Sequence, residues 1–215
     1  KKIRSEIVLQ KLYDKYVCPH LIDFFMQTKA FMKQREKIIP FASGRVLEIG
    51  IGSGLNFQFY DKTKVNEVFA VEPDEVLYRK AKESASKNNL KLNIKLIKAE
   101  ELPFDDNSFD TVISTYTMCS ISGLNSAMKE INRVMKPDSL LLFSEHGKSP
   151  DKNILNWQKR LNGIQKRIAG GCHLDIDIPN EIKKADFKIE AISSMYVPGP
   201  KFLNYHYWGQ ATPSK

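Results

Sequence analysis

Gly50, Gly52 and Gly54 stand at alternating positions directly after an apolar, β-rich run, Arg45-Val-Leu-Glu-Ile-Gly50, and no other feature restricts the fold as much. Glycines so spaced let the backbone turn tightly and let another molecule approach where a Cβ would stand in the way. The run is the first of five; 67–71, 92–97, 109–114 and 140–144 follow. Segments of helical period, 54–60, 74–88 and 123–135, lie among them, and Lys136-Pro137-Asp138 closes the last because proline cannot continue a helix. Such alternation predicts βαβ units and a parallel sheet covered on both faces, with a ligand crevice beyond the carboxyl ends of its first strands.

Two flanking regions differ in texture. Residues 1–42 carry Tyr13, Tyr16, Leu21, Phe24, Phe25, Phe31 and Met32 at helical spacing. They predict one or two amphipathic helices, a cover laid on the globular unit formed by 43–215. Residues 147–180 hold Trp157, a basic helix with Lys159, Arg160, Lys166 and Arg167, and the turn Gly170-Gly171. The runs 187–192 and 205–211, joined through Pro198-Gly199-Pro200, are too close for a helical crossover and are expected to be antiparallel. The expected fold is therefore α/β: a Rossmann-like, doubly wound, seven-stranded, mostly parallel sheet whose last strand is antiparallel.

Composition removes other classes. With 42% hydrophobic residues and mixed charge, the 215-residue chain is not disordered, collagen-like or a coiled coil. Its 33 basic and 25 acidic residues give a net charge of +8. The lysines are spread through helical stretches without a block of like charge, so a solvated surface is expected rather than a nucleic-acid footprint. Peripheral contact with an anionic membrane surface is compatible with that charge. Three cysteines make no complete disulfide framework, which points to a reducing, cytoplasmic compartment. No apolar run approaches the roughly 18 residues of a membrane span. The chain starts at Lys1 without a Met, so a trimmed chain is expected.

The acid Glu72 closes the second run, where it can accept both hydroxyls of an adenosine ribose. The loop reads G-x-G-x-G, not the G-x-G-x-x-G of dinucleotide sites. Glu48 within it is a poor neighbour for phosphate and a good one for a cation. An adenosine with a cationic amino-acid tail satisfies these parts, namely S-adenosylmethionine. Asn56 is expected to meet the cofactor carboxylate or to serve the first turn of the following helix. Thr115 and Tyr116, at the end of the fourth run, are placed for the methionine end.

Val46-Leu-Glu-Ile-Gly-Ile-Gly-Ser-Gly54 and Val71-Glu72-Pro73 resemble the first and second motifs of class I S-adenosylmethionine-dependent methyltransferases. Ala99-Glu-Glu-Leu-Pro-Phe-Asp-Asp-Asn-Ser-Phe-Asp110 and Arg133-Val-Met-Lys-Pro137 are similar to later motifs of the subgroup containing quinone-biosynthesis C-methyltransferases. Thr117-Met-Cys-Ser-Ile121, Ser144-Glu-His-Gly147 and Gly171-Cys-His-Leu174 resemble the branch of membrane-associated thiol S-methyltransferases and their bacterial relatives. The resemblance implies methylation of a small molecule, and the aromatic residues Phe24, Phe25, Trp157, Tyr196 and Phe202, expected as a lid, favour a hydrophobic acceptor: a thiol, a quinone precursor or a lipid headgroup. Lys98 stands where an adenine-binding Asp is usual, which leaves adenine to the Ala99 N–H and the Glu100 carboxylate. His146 is the candidate general base, and Tyr13, Tyr16, Cys172 and His173 the candidate acceptor pocket. A zinc site from Cys18, His20, Cys172 and His173 fits no C-x₂-C or H-x₃-H spacing, and no metal is expected. The rivals are an NAD-linked Rossmann oxidoreductase, disfavoured by the glycine spacing, and a non-catalytic nucleotide- or RNA-binding module, for which no recognition appendage is found.

Overall fold

The computed structural model describes residues 2–214, with the side chains of 6–65 and 67–214. The N-terminal segment forms three helices, α1 (Lys2–Tyr16), α2 (Cys18–Met26) and α3 (Lys29–Glu36), rather than one or two. Pro19 is the reason for the first break. Its fixed φ and missing N–H suit the opening turn of a helix, and α2 starts there afresh. A 3₁₀ turn, Ile39–Phe41, then leads into the sheet.

The remaining elements follow as β1 (Gly44–Ile49), β2 (Val65–Val71), α4 (Glu75–Lys87), β3 (Leu92–Lys95), β4 (Phe109–Thr115), α5 (Leu124–Val134), β5 (Met135–His146), α6 (Lys152–Ile168), α7 (Ile178–Lys184), β6 (Phe187–Tyr196) and β7 (Tyr205–Pro213). The sheet has seven strands in the order β3-β2-β1-β4-β5-β7-β6. Strands β1 to β5 are parallel, and β7 lies antiparallel between β5 and β6. The order reverses between β1 and β4, so the crossovers diverge there and leave the crevice that such sheets use for ligands.

Because side chains alternate along a strand, the sheet supports two cores. Leu47 and Ile49 of β1 join Phe69, Phe109, Val112 and Phe143 beneath α5 and α7. Val46 faces the other way, with Val68, Ala70, Ile113 and Leu142, beneath Ala81 and Ala85 of α4 and Ile38 and Ile39 of the N-terminal segment. Helix α5 buries Ala127, Met128, Ile131 and Val134 at the spacing of one helical face. Asp74 caps α4 by accepting from the N–H groups of Val76 and Leu77, at 2.8 and 2.9 Å.

One predicted helix is absent. Residues 54–60 make turns and a short 3₁₀ segment, Phe57–Phe59. Gly54 has φ +80° and its Cβ position is taken by the Phe57 ring, while the Asn56 side chain is wholly buried and bonded inward. The segment is spent on closing the floor of the crevice.

Candidate active site

A cavity of about 300 Å³ opens beyond the carboxyl ends of β1, β2 and β4. Its floor includes Gly50, Gly52 and Glu72, and Pro73, Ala99, Glu100, Thr115 and Tyr116 stand around it. Gly50 and Ile51 donate to the Val71 carbonyl at 2.9 and 3.3 Å, which fixes the glycine loop against the end of β2. Gly50 has φ +61°, and a Cβ there would run into Thr117. Gly52 has φ +60°, yet its Cβ direction meets nothing within 4 Å, so the hollow beside it is open.

The Glu72 carboxylate closes this geometry. Oε2 accepts from Gly52 N at 2.8 Å and Oε1 accepts from Asp74 N at 3.0 Å. Each oxygen keeps a further lone pair, which suits two vicinal hydroxyls. Burial pushes the Glu72 carboxyl up to about 7 against the lowering effect of those two N–H groups. Accepting both hydroxyls requires the ionised form, so binding of an adenosine ligand releases a proton below that value. Affinity is expected to rise about tenfold from pH 6 to pH 8 and then level off, as titration calorimetry in buffers of different ionisation enthalpy would show.

Glu48 and Asn56, expected as contacts, lie instead behind the loop. Asn56 Nδ2 donates to Glu48 Oε1 at 2.6 Å and the Tyr60 hydroxyl donates to Glu48 Oε2 at 2.8 Å. Arg35 of α3 completes the group, with Nη1 donating to Asn56 Oδ1 at 2.9 Å and to Thr115 Oγ1 at 2.6 Å. Burial holds the Glu48 carboxyl up at about 7, with Tyr60 and the Arg35 charge working against it. The cation-facing role foreseen for Glu48 thus falls to a buried polar network that supports the loop. Gly54 also sits off the cavity wall, its Cβ direction occupied by Phe57.

The N-terminal cover does roof the cavity, but with other residues than Tyr13 and Tyr16. Asp14, Cys18, Pro19, Ile22, Asp23 and Met26 face it. The Tyr13 hydroxyl donates to the Ile168 carbonyl at 2.7 Å, and Tyr16 is more than half exposed. Asp23 is the latch between roof and floor: it accepts from the Ser53 hydroxyl of the glycine loop and from Lys80 Nζ of α4 at 2.6 Å. Burial opposes its charge, but Lys80 and Ser53 hold the carboxyl below the usual range.

His146, Cys172 and His173 do not line the cavity. His146 is buried, with Nε2 at 3.0 Å from Cys172 Sγ, and His173 donates its N–H to the Cys119 carbonyl at 2.8 Å. Three functional positions were not foreseen. Arg35 carries no signal in sequence, since its partners meet only in the fold. Asp23 is a lone acid within the apolar run Leu21-Ile-Asp-Phe-Phe, and Glu145 is a buried acid one residue before the end of β5, as Glu72 is one just beyond β2. Glu145 accepts from Ser114 Oγ at 2.8 Å, Thr117 N at 3.0 Å and Met118 N at 3.3 Å, and so sets the turn after β4.

An adenosyl amino acid fits this donor set. Glu72 matches the ribose and the open side of Gly52 admits a ligand against the backbone. Arg35 also lines the cavity, and its buried guanidinium sets a positive charge beside it, which suits a ligand carboxylate.

Comparison with known proteins agrees. Residues 47–143 match a methyltransferase domain family. The thiol S-methyltransferase TMT1B of Mus musculus is 31% identical over 189 residues, covering 80% of this chain and 77% of that protein. Its counterpart in Rattus norvegicus is 34% identical over 146 residues, covering 66% of this chain but only 59% of the relative's own length. A solved structure of a putative methyltransferase from Bacillus halodurans superposes with a TM-score of 0.71 at 14% identity, over 86% of this chain and 99% of the other, a likeness of fold. The chain belongs to the family of S-adenosylmethionine-dependent methyltransferases that includes the thiol S-methyltransferases TMT1B.

Proposed function

We propose that this methyltransferase acts on the sulfur of a small, apolar thiol. The observation that carries the proposal is the apolar wall of the cavity, beside which the described lining residues include no histidine. Bound S-adenosylmethionine supplies an activated methyl group and a neutral thioether leaving group, so alignment rather than acid–base chemistry is the main demand on the protein. A thiol with a pKa near about 8.5 loses its proton with little help at neutral pH, whereas an alcohol or a carbon acid needs a base. The walls suit such an acceptor, being apolar at Pro19, Ile22, Met26, Leu55, Leu77 and Ile121. The rat and mouse relatives are thiol S-methyltransferases by name, which supports this choice.

The chain's own residues then have distinct tasks. Glu72 grips the ribose, the loop at Gly50 and Gly52 permits close approach, and Arg35 neutralises the carboxylate end. The roof held by Asp23 excludes water. Turnover across thiols, phenols, quinones and amines, read as demethylated cofactor released, is expected to favour apolar thiols by at least about tenfold. Equal or faster turnover of a phenol or quinone would overturn the assignment.

The roof also bears an exposed apolar stripe, with Leu9, Leu12, Tyr16, Leu21, Phe24 and Phe25 all open to solvent and Lys11 and Lys15 beside them. This pattern supports a lipid surface as the place where an apolar acceptor is met. Co-sedimentation with anionic vesicles is expected for the native chain and is expected to be lost in the double variant Phe24→Asp, Phe25→Asp. Equal sedimentation of the two would contradict the contact.

A further inference from the structure

Three thiophilic donors that stand far apart in sequence converge beside the cavity. Cys119 comes from the turn after β4, His146 from the last residue of β5, and Cys172 from the loop after α6. Cys119 Sγ, Cys172 Sγ and a ring nitrogen of His146 all lie within 4.8 Å of one another, and all three side chains are buried. We propose that Cys119, His146 and Cys172 form a Cys₂His site for a thiophilic divalent cation, Zn²⁺ foremost, with its fourth position left to an exogenous ligand.

The chemistry of the donor set supports this. Zinc bonds of about 2.3 Å to sulfur and about 2.0–2.1 Å to imidazole nitrogen place tetrahedral ligand atoms roughly 3.4–3.8 Å apart. The present separations, 3.0 Å from His146 Nε2 to Cys172 Sγ and at most 4.8 Å overall, need only small side-chain shifts. Three protein ligands and one free position are the pattern of reactive rather than structural zinc sites.

The surroundings hold the donors in place. The His173 N–H donates to the Cys119 carbonyl at 2.8 Å, tying the two cysteine-bearing loops together. Gly170 and Gly171, at φ +57° and +83°, turn the chain into Cys172. Gln165 Nε2 donates to Cys172 Sγ at 3.7 Å, a contact of the kind that orients a thiolate ligand.

The cluster borders the reaction site, since Ser120, next to Cys119, and Gly170, two residues before Cys172, both line the cavity. A thiol entering the free position would bind as thiolate with its proton passed to solvent. That consequence rests on the acceptor proposed above; the metal site does not, and its test reads metal rather than methylation.

The test is anaerobic titration of the reduced, chelator-stripped full chain with Co²⁺. The expected result is one equivalent bound, with thiolate-to-cobalt charge-transfer bands in the near ultraviolet, tetrahedral visible bands, and displacement by Zn²⁺. Cys119→Ser, Cys172→Ser and His146→Ala are each expected to weaken binding by at least about 100-fold, with circular dichroism and calorimetric binding of S-adenosylmethionine confirming a folded chain. His173→Ala is expected to leave the spectrum unchanged. A folded native chain without charge-transfer bands would overturn the proposal. So would bands that persist in both cysteine variants, or a thiol count showing Cys119 and Cys172 joined as a disulfide under the reducing conditions used.

Discussion

Gly52→Val is expected to abolish binding of S-adenosylmethionine while leaving a folded protein. Two effects combine at this position. The residue has φ +60°, which costs a side chain with a Cβ about 1–2 kcal/mol and is least tolerable for a β-branched one. Because the Cβ direction is open, the Cβ of the valine meets no protein atom and the side chain projects into the hollow that the ligand needs. The stability penalty is therefore modest, a fall in Tm of about 2–8 °C for a chain of this size. The binding penalty is large, at least about 100-fold, because the ligand and the side chain compete for one space. Gly50→Val makes an instructive contrast. There the Cβ would strike Thr117, so that variant is expected to lose stability as well as binding. Thermal unfolding and calorimetry of the two proteins separate the effects.

Glu145→Ala is expected to be the most destabilising single change at the site. The carboxylate is fully buried and accepts from Ser114 Oγ, Thr117 N and Met118 N. Removing it strands three buried donors, each worth about 1–3 kcal/mol when unsatisfied. A total loss of about 3–5 kcal/mol lowers Tm by roughly 6–20 °C. Burial raises the Glu145 carboxyl above its usual value, with the three donors acting the other way. A raised folded-state value means that this group's stabilising contribution is complete below the unfolded-state pKa and declines as pH climbs through the folded one. Glu145→Gln should therefore cost less than the alanine change, and its penalty should shrink as pH rises. Urea unfolding at several pH values would reveal both trends; equal stability of native and alanine proteins would remove Glu145 from the account.

What could be seen in the sequence was whatever depended on neighbours along the chain. The alternation of strands and helices, the loop Gly50-Ile-Gly52 and the acid at Glu72 are set by local spacing, and the parallel sheet follows from that alternation. What escaped depended on the third dimension. Glu48 and Asn56 were expected to face a ligand because they sit in or next to the glycine loop. Strand alternation sends Glu48 away from the cavity, where Tyr60 and Asn56 receive it. Tyr13 and Tyr16 were plausible lids by composition, but the rotation of α1 presents Asp14 to the cavity and leaves Tyr16 in solvent. The pairing of Cys172 with Cys119 and His146, rather than with Cys18 and His20, joins residues 26 and 53 positions apart, and no spacing rule reaches that far. Arg35 was invisible for the same reason, its partners being Asn56 and Thr115.

The central claim is that the carboxylate ending β2 holds the cofactor's ribose against the loop ending β1. Calorimetric titration of native and Glu72→Gln proteins with S-adenosylmethionine at pH 8 tests it most directly. The predicted result is one site on the native chain and a loss of affinity of about 100-fold in the variant, as two charge-assisted hydrogen bonds at about 1.5–3 kcal/mol each are weakened. A folded variant that binds as tightly as the native protein would contradict it.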